Sequence, residues 1–414
     1  MSAILISMVS GISTKKLLAA LAVLTVCAGL VMVRESKVST VANYPEVATI
    51  GSGTPSLNEL SKRFGELAQV KGAEYSFAVL REAILPLDTD IHLIAHAIGH
   101  ELYAQQGIEG MSVCTQEFRN GCSHSIVIET MQELGDGDSV RKLIDDACHS
   151  APGGGSAYSM CYHGLGHGVF AYYGFSFPQT VAFCEKTGTK EYDFVQSKEC
   201  IGGAVMELVG GGGHDVELWV KANRKYFDPK NPLAPCDTAL IPESAKASCY
   251  VYMSPHFMEY AGANMQTFTD TQLSRGMAVC ALLPHGANRS ACAGAFGKDF
   301  PHNVGGHDVR KLDEGLYTDE QLRAVENLCN HASDEADALV CKSYALSTFF
   351  WGGDAEPSVS ARFCSLLRDS KSQDFCFHDL AVSISRYIPR GQSRSERCAL
   401  IPEQYRSLCL EGES

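Results

Sequence analysis

The sequence predicts an all-α protein: tandem disulfide-stapled helical hairpins forming an α/α solenoid or toroid behind an N-terminal membrane anchor. Three observations carry this. Sixteen of the seventeen cysteines fall into neighbouring pairs, the remaining one lying in an apolar N-terminal run. Whole segments recur: "CDTALIPESAKASC", "CALLPHGANRSAC" and "CALIPEQYRSLC" are versions of one stretch, and "FTDTQLSRGMAVC" and "YTDEQLRAVENLC" of the stretch before it. The first cysteines of successive pairs stand 34, 36, 52, 44, 49, 35 and 34 residues apart. A basal period with insertions suits stacked helical hairpins.

The elements follow in chain order. Lys15 and Lys16 precede an uncharged run from Leu17 to Val33, closed by Arg34. Its 17 residues stand at the short edge of a membrane span. Positive charge before it keeps the N-terminus cytoplasmic. Apolar character continues past the small residue Ala28, which disfavours a cleaved signal, and Val26 is too bulky for a lipidation site at Cys27. Residues 1–34 therefore read as a cytoplasmic tail and signal-anchor helix, with the C-terminal domain periplasmic or extracellular. Residues 35–55 read as a linker, and residues 56–414 as a helical-repeat ectodomain of about eight stapled units. Ser56 and Glu59 form a capping-box pattern opening a helix to about residue 70. A second helix covers 73–85. Residues 89–106 align with the repeat helices through Gly107 and form an unstapled cap, with Ile94 in the cysteine's place.

In each unit, helix A ends at the first cysteine, as in "SVRKLIDDAC" behind Asp138 as N-cap. Helix B starts near the second cysteine and runs about 12 residues. It stops at a glycine thirteen positions on, as at Gly135, Gly174, Gly213, Gly262 and Gly305, where a left-handed C-cap is expected. The staples are then Cys114/Cys122, Cys148/Cys161, Cys184/Cys200, Cys236/Cys249, Cys280/Cys292, Cys329/Cys341, Cys364/Cys376 and Cys398/Cys409. An even cysteine count in an exported chain reads as such a framework, and the close C-x2-4-C spacing of zinc sites is missing. The period and the staple resemble disulfide-stapled Sel1-like and tetratricopeptide arrays. The resemblance extends to period and staple alone and brings no functional residue with it.

A net charge of −14 argues against an electrostatic nucleic-acid binder. The basic residues Arg386, Arg390, Arg394, Arg397 and Arg406 read as a solvated helical face. There is no HExxH, GxSxG, P-loop or Rossmann fingerprint. "GGGGHD" at 210–215 reads as a helix terminus, and the aromatics of "VFAYY" and "STFFW" as core.

The chemistry lies in the aligned B helices. Counted from the second cysteine, position +2 holds His96, His124, His163 and His378. Position +6 holds His100 and His167, and position +7 holds Glu101, Glu129, Glu207, His256 and Asp299. Position +10 holds Glu259 and His302. At about 100° per residue these positions fall within one arc. The stretch "MCYHGLGHGVFAYYG" adds Gly164, Gly166 and Gly168 beside His163 and His167. Three glycines cost helix propensity, about 1 kcal/mol each, and call for close approach by a neighbouring helix or a ligand. Carboxylates in apolar surroundings, as in "IVIETM" and "AVMELV", are costly to bury unless paired or ligating.

The expected site places His96, His100, His124, His163, His167 and His256 as ligands of a divalent transition metal (zinc, copper or iron). Glu101, Glu129 and Glu207 are ligands or general bases. His302 and Asp299 extend the cavity, and His378 joins only if the array closes into a ring. The function expected is a metal-binding enzyme, hydrolytic or redox, acting on an unidentified substrate. The alternative is a non-enzymatic scaffold whose concave face binds a protein or glycan. Convergence of the histidines on one spot separates the two.

Overall fold

The structure, a computed structural model, describes residues 44–414 apart from 87–88, 116, 153, 189–194, 211–223, 306–316, 353–356, 389 and 413–414. The apolar run 17–33 lies outside the described residues. Among the described residues no helix is long and apolar enough to cross a membrane.

Eighteen α-helices make up the described chain, with no strand among them. The first three form the cap: α1 (Leu57–Lys71), α2 (Ala73–Glu82) and α3 (Ile91–Gln106). Ser56 caps α1 by accepting the Glu59 backbone N–H at 3.2 Å. The Glu59 carboxylate turns to Arg63 rather than back to the cap. The stretch before α1 is held down: Arg63 Nη1 donates to the carbonyls of Ile50 and Ser52 at 2.9 and 3.0 Å.

The stapled part continues with α4 (Gly121–Leu134), α5 (Asp138–Ser150), α6 (Gly154–Tyr172), α7 (Phe177–Cys184), α8 (Val195–Gly210), α9 (Lys246–Tyr250) and α10 (Ser254–Tyr260). It ends with α11 (Asp270–Met277), α12 (Ala287–Gly305), α13 (Asp319–Cys329), α14 (Glu335–Gly352), α15 (Ser358–Leu366), α16 (Ser370–Tyr387), α17 (Gln392–Cys398) and α18 (Glu403–Glu411). All eight expected disulfides are present, each local to one unit, with Cα atoms 5.4–5.8 Å apart.

Repeat helices of neighbouring units lie side by side in chain order: α1 on α3, then α4, α6, α8, α9, α12, α14, α16 and α18. The A helices α5, α7, α13, α15 and α17 each pack on the B helix of their own unit. The recurring "FTDTQL" and "YTDEQL" segments have a shared cause. Thr269 with Gln272, and Thr318 with Gln321, form reciprocal capping boxes that start α11 and α13.

Several local expectations need correction. Helix B starts beside its cysteine in α4, at Gly121 before Cys122, but not in every unit: α6 begins at Gly154, seven residues ahead of Cys161, and α14 six ahead of Cys341. A cysteine one or two turns into B still faces the end of A, so the staple forms without marking a helix start. Asp138 is the first residue of α5 and Gly137 its cap; Asp138 pairs with Arg141 instead. The first unit has a 3-10 segment, Gly107–Val113, in place of helix A. The fourth has no α-helix among its described residues before Cys236, where Pro229, Pro232 and Pro235 interrupt the chain. Its B helix is broken into α9 and α10. Pro255 lacks the N–H that would reach back to Val251. Of the expected closing glycines, Gly107, Gly135, Gly174 and Gly262 take positive φ. Gly305 is still helical, and Gly213 lies outside the described residues.

Candidate metal centre

Glycines set the spacing of the helices that carry the centre. A Cβ on Gly99 of α3 would stand 2.7 Å from the Ser125 Cβ, and one on Gly121 of α4 2.9 Å from the His92 carbonyl. A Cβ on Gly164 would stand 2.2 Å from the His124 ring, and on Gly168 2.6 Å from Ile128. Gly166 and Gly203 do the same between α6 and α8: their Cβ atoms would meet the carbonyls of Cys200 at 2.0 Å and His163 at 1.9 Å. The close approach those glycines call for is thus helix on helix. It brings the stripes of α3, α4 and α6 together.

Five imidazoles meet there. His92 and His96 come from α3, His124 from α4, and His163 and His167 from α6. Ring centroids lie 4.5 Å apart for His92–His96, 5.2 Å for His92–His124 and 5.6 Å for His96–His124. They lie 6.0 Å apart for His124–His163, 5.6 Å for His124–His167 and 5.0 Å for His163–His167. His124, His163 and His167 are buried, at 2%, 2% and 8% exposure, while His92 and His96 are half-buried.

The two i, i+4 pairs are arranged alike. His92 Nε2 faces His96 Nε2 at 3.1 Å, and His163 Nε2 faces His167 Nε2 at 3.3 Å. The opposite nitrogens are held from outside. The Phe118 carbonyl receives His92 Nδ1 at 2.9 Å, and a carbonyl only accepts, so His92 Nδ1 carries the hydrogen and Nε2 the inward lone pair. Ser125 Oγ lies 3.1 Å from His96 Nδ1, and Glu207 accepts from His167 Nδ1 at 2.9 Å. Tyr252 OH and Glu199 stand 3.4 and 3.9 Å from His163 Nδ1. Outer partners that orient imidazoles and set their tautomer are how metal-ligating histidines are held.

His124, at the centre, is different: neither ring nitrogen has a hydrogen-bond partner. Burial holds its imidazole well below the ordinary value of 6.5, and the four neighbouring histidines push the same way. Burial also depresses His163, with His167 adding to it. Burial pushes the Glu199 carboxyl up to about 7 and the Tyr252 hydroxyl well above its usual 10.

The residues fit a metal ion. Donor atoms of His92, His96 and His124 already lie within 4.8 Å of one another. Two nitrogens on one tetrahedral zinc, each bonded at 2.0–2.1 Å, stand about 3.3 Å apart, close to the 3.1 and 3.3 Å found within the two pairs. A second group, His285, Asp334 and Asp337, is a different case. Arg289 occupies it, with Nη2 at 2.5 Å from Asp334 and 2.8 Å from Asp337, so its charges are met by a guanidinium.

Of the expected residues, His96, His124, His163 and His167 come together, with Glu207 directly behind His167. The others stand apart. His100 is bonded to Glu129, and 41% and 27% of their side-chain surfaces are exposed. Glu101 accepts from Gln69 Nε2 at 2.7 Å, on the side facing α1. His256 stacks on Phe227 at 4.4 Å; the break between α9 and α10 resets the helical phase by which it was aligned. Asp299 is held by Ser254 and Lys298, and His378, half exposed, lies beside Asp379. Sequence reasoning missed His92, although it stands four residues before His96 on the same face. It missed Ser125, Glu199 and Tyr252 as well. No family model matches this chain, and no curated protein or solved structure matches it either.

Proposed function

We propose that this protein is a metalloprotein that holds a divalent transition-metal ion (zinc, copper or iron) in the histidine cluster, with His92, His96 and His124 as the first donors. The carrying observation is His124: a fully buried imidazole with two unpartnered nitrogens, ringed by four others whose outer nitrogens are already engaged. Without an ion it leaves a donor and an acceptor unsatisfied, at about 1–3 kcal/mol each. All-nitrogen donors suit borderline ions of the zinc and copper type. Three imidazoles leave a fourth position for water, as catalytic rather than structural sites do.

In this reading the half-buried His92 and His96 mark the side from which a substrate reaches the ion. The His100–Glu129 pair, one helical turn beyond His96, exchanges protons there. The chain would be an enzyme, hydrolytic or redox, held outside the cytoplasm by the run 17–33, with the helical units forming an α/α array around the centre. The burial of His124, His163 and His167 favours a second reading, in which the ion clamps α3, α4 and α6 of a scaffold.

The test is metal content of the chain purified without a polyhistidine tag, before and after His124→Ala. An ion bound by the native chain and lost from a folded variant supports the proposal. A native chain that binds none from zinc, copper or iron solutions overturns it. Loss of turnover with metal retained in His100→Ala marks the enzyme; unchanged behaviour marks the scaffold.

A further inference from the structure

We propose that the cluster holds two ions rather than one, with His124 shared between them and His163 and His167 completing the second site. This rests on the metal reading above and deepens it.

A neutral imidazole offers one N–H and one lone pair. In His124 both nitrogens are buried and unpartnered. One ion takes one nitrogen and leaves the other orphaned; a second ion on the remaining nitrogen accounts for both. The rest of the cluster is built in duplicate to match. α3 and α6 both pack on α4, and each contributes an i, i+4 pair. The Nε2 separations, 3.1 Å in one pair and 3.3 Å in the other, are each what two nitrogens on one ion require. Each pair also has an acceptor-only group behind one member. The Phe118 carbonyl stands behind His92, and the buried carboxylate of Glu207 behind His167. That carboxylate, 2.9 Å away, accepts the Nδ1 hydrogen and turns the His167 Nε2 lone pair inward. One member of each pair, His92 and His167, thus has its outer nitrogen set by an acceptor behind it.

The first site has its three donors within 4.8 Å of one another. The second closes as the His163 and His167 rings turn toward His124, whose centroid lies 6.0 and 5.6 Å away. Each ion then has three imidazole nitrogens and one position for water. On uptake of the second ion the His124 ring proton passes to solvent, and a nitrogen–metal bond takes the place of the N–H bond. The ions fitted are zinc(II) and copper(II), which imidazole suits.

The test uses the full-length chain, stripped with chelator and titrated with zinc sulfate, counting ions per chain by elemental analysis. The native chain is expected to bind two. His163→Ala with His167→Ala is expected to bind one, as is His92→Ala with His96→Ala, each with far-ultraviolet circular dichroism and disulfide map unchanged. A native chain saturating at one ion overturns this inference and leaves the metal reading standing; a chain binding none overturns both. Should the variants fail to fold, the native chain decides with copper(II). A shared imidazole couples two copper ions, so the integrated paramagnetic resonance signal should fall as the second equivalent is added. A signal that doubles refutes the shared ligand.

Discussion

Gly166→Ala should separate α6 from α8 and destabilise the protein more than any helix-propensity gain can offset. The new Cβ would sit 2.0 Å from the Cys200 carbonyl oxygen and 2.8 Å from the Ala204 nitrogen. Both are backbone atoms of a stapled helix, so neither can rotate aside. Ordinary contact begins at 3.4 Å, so the helices must part locally by about 1.4 Å, enough to forfeit more than half the dispersion energy of the contacts lining the gap. Both helices carry buried apolar side chains, among them Leu165, Val169, Ala204 and Leu208. The expected cost is ~3 kcal/mol, the upper end of the overpacking range. Gly65→Ala is the matched control: it lies inside α1 with nothing within 4 Å of its Cβ position. It should stabilise by ~0.5–1 kcal/mol through helix propensity alone. Urea unfolding followed by circular dichroism, with hydrogen exchange of the α6 and α8 amides, reads both. If Gly166→Ala lies within ~0.5 kcal/mol of the native chain, the close approach of these helices is refuted, and the positioning of His163 and His167 with it.

Glu101→Gln should leave metal content unchanged, because Glu101 bonds Gln69 and not the cluster; a loss of metal would put that carboxylate back among the ligands. Cys398→Ser with Cys409→Ser should lower the stability of the last unit by about 3 kcal/mol in the chain-entropy model, visible as faster exchange in α17 and α18 with metal uptake intact. His256 gives a pH signature. Burial lowers its pKa from 6.5 to about 4, so between those values the unfolded chain binds a proton that the folded chain refuses. Its contribution is complete above pH 6.5 and is lost as pH falls toward 4, by ~3 kcal/mol. His256→Phe should flatten the unfolding midpoint across that window, and an unaltered profile would show that the imidazole is not buried neutral.

The staples were legible because cysteines recur with the repeat: Cys148 needs a partner, and Cys161 is the nearest one in phase. The fourth unit was less legible. Its "FDPKNPLAPC" excludes the helix that its neighbours have, and Pro255 splits its second helix. For the centre, counting from each cysteine gives an angle around a helix but no height along it. His124, His163 and His167 were placed together by angle. In α3 the meeting level falls one turn earlier, at His92 and His96, and His100 is left to Glu129. Height depends on where each helix leans on its neighbour. Gly99, Gly121 and Gly164 set that contact, and their effect is visible only once both backbones are in place. Glu199, one residue before its cysteine, and Tyr252, three after, fall within the same arc at about 100° per residue, but at positions that were not counted.

The staples also bear on how the molecule matures. Sixteen thiols can be joined in about two million ways, yet each native partner is 8 to 16 residues away along the chain. Segments of that length close in roughly 10–100 ns, far faster than a ribosome adds one residue. As the polypeptide lengthens, each cysteine meets its own partner before the next pair exists. The native set is therefore also the first set that diffusion samples, and oxidation can proceed unit by unit from the amino end with few wrong crosslinks to undo.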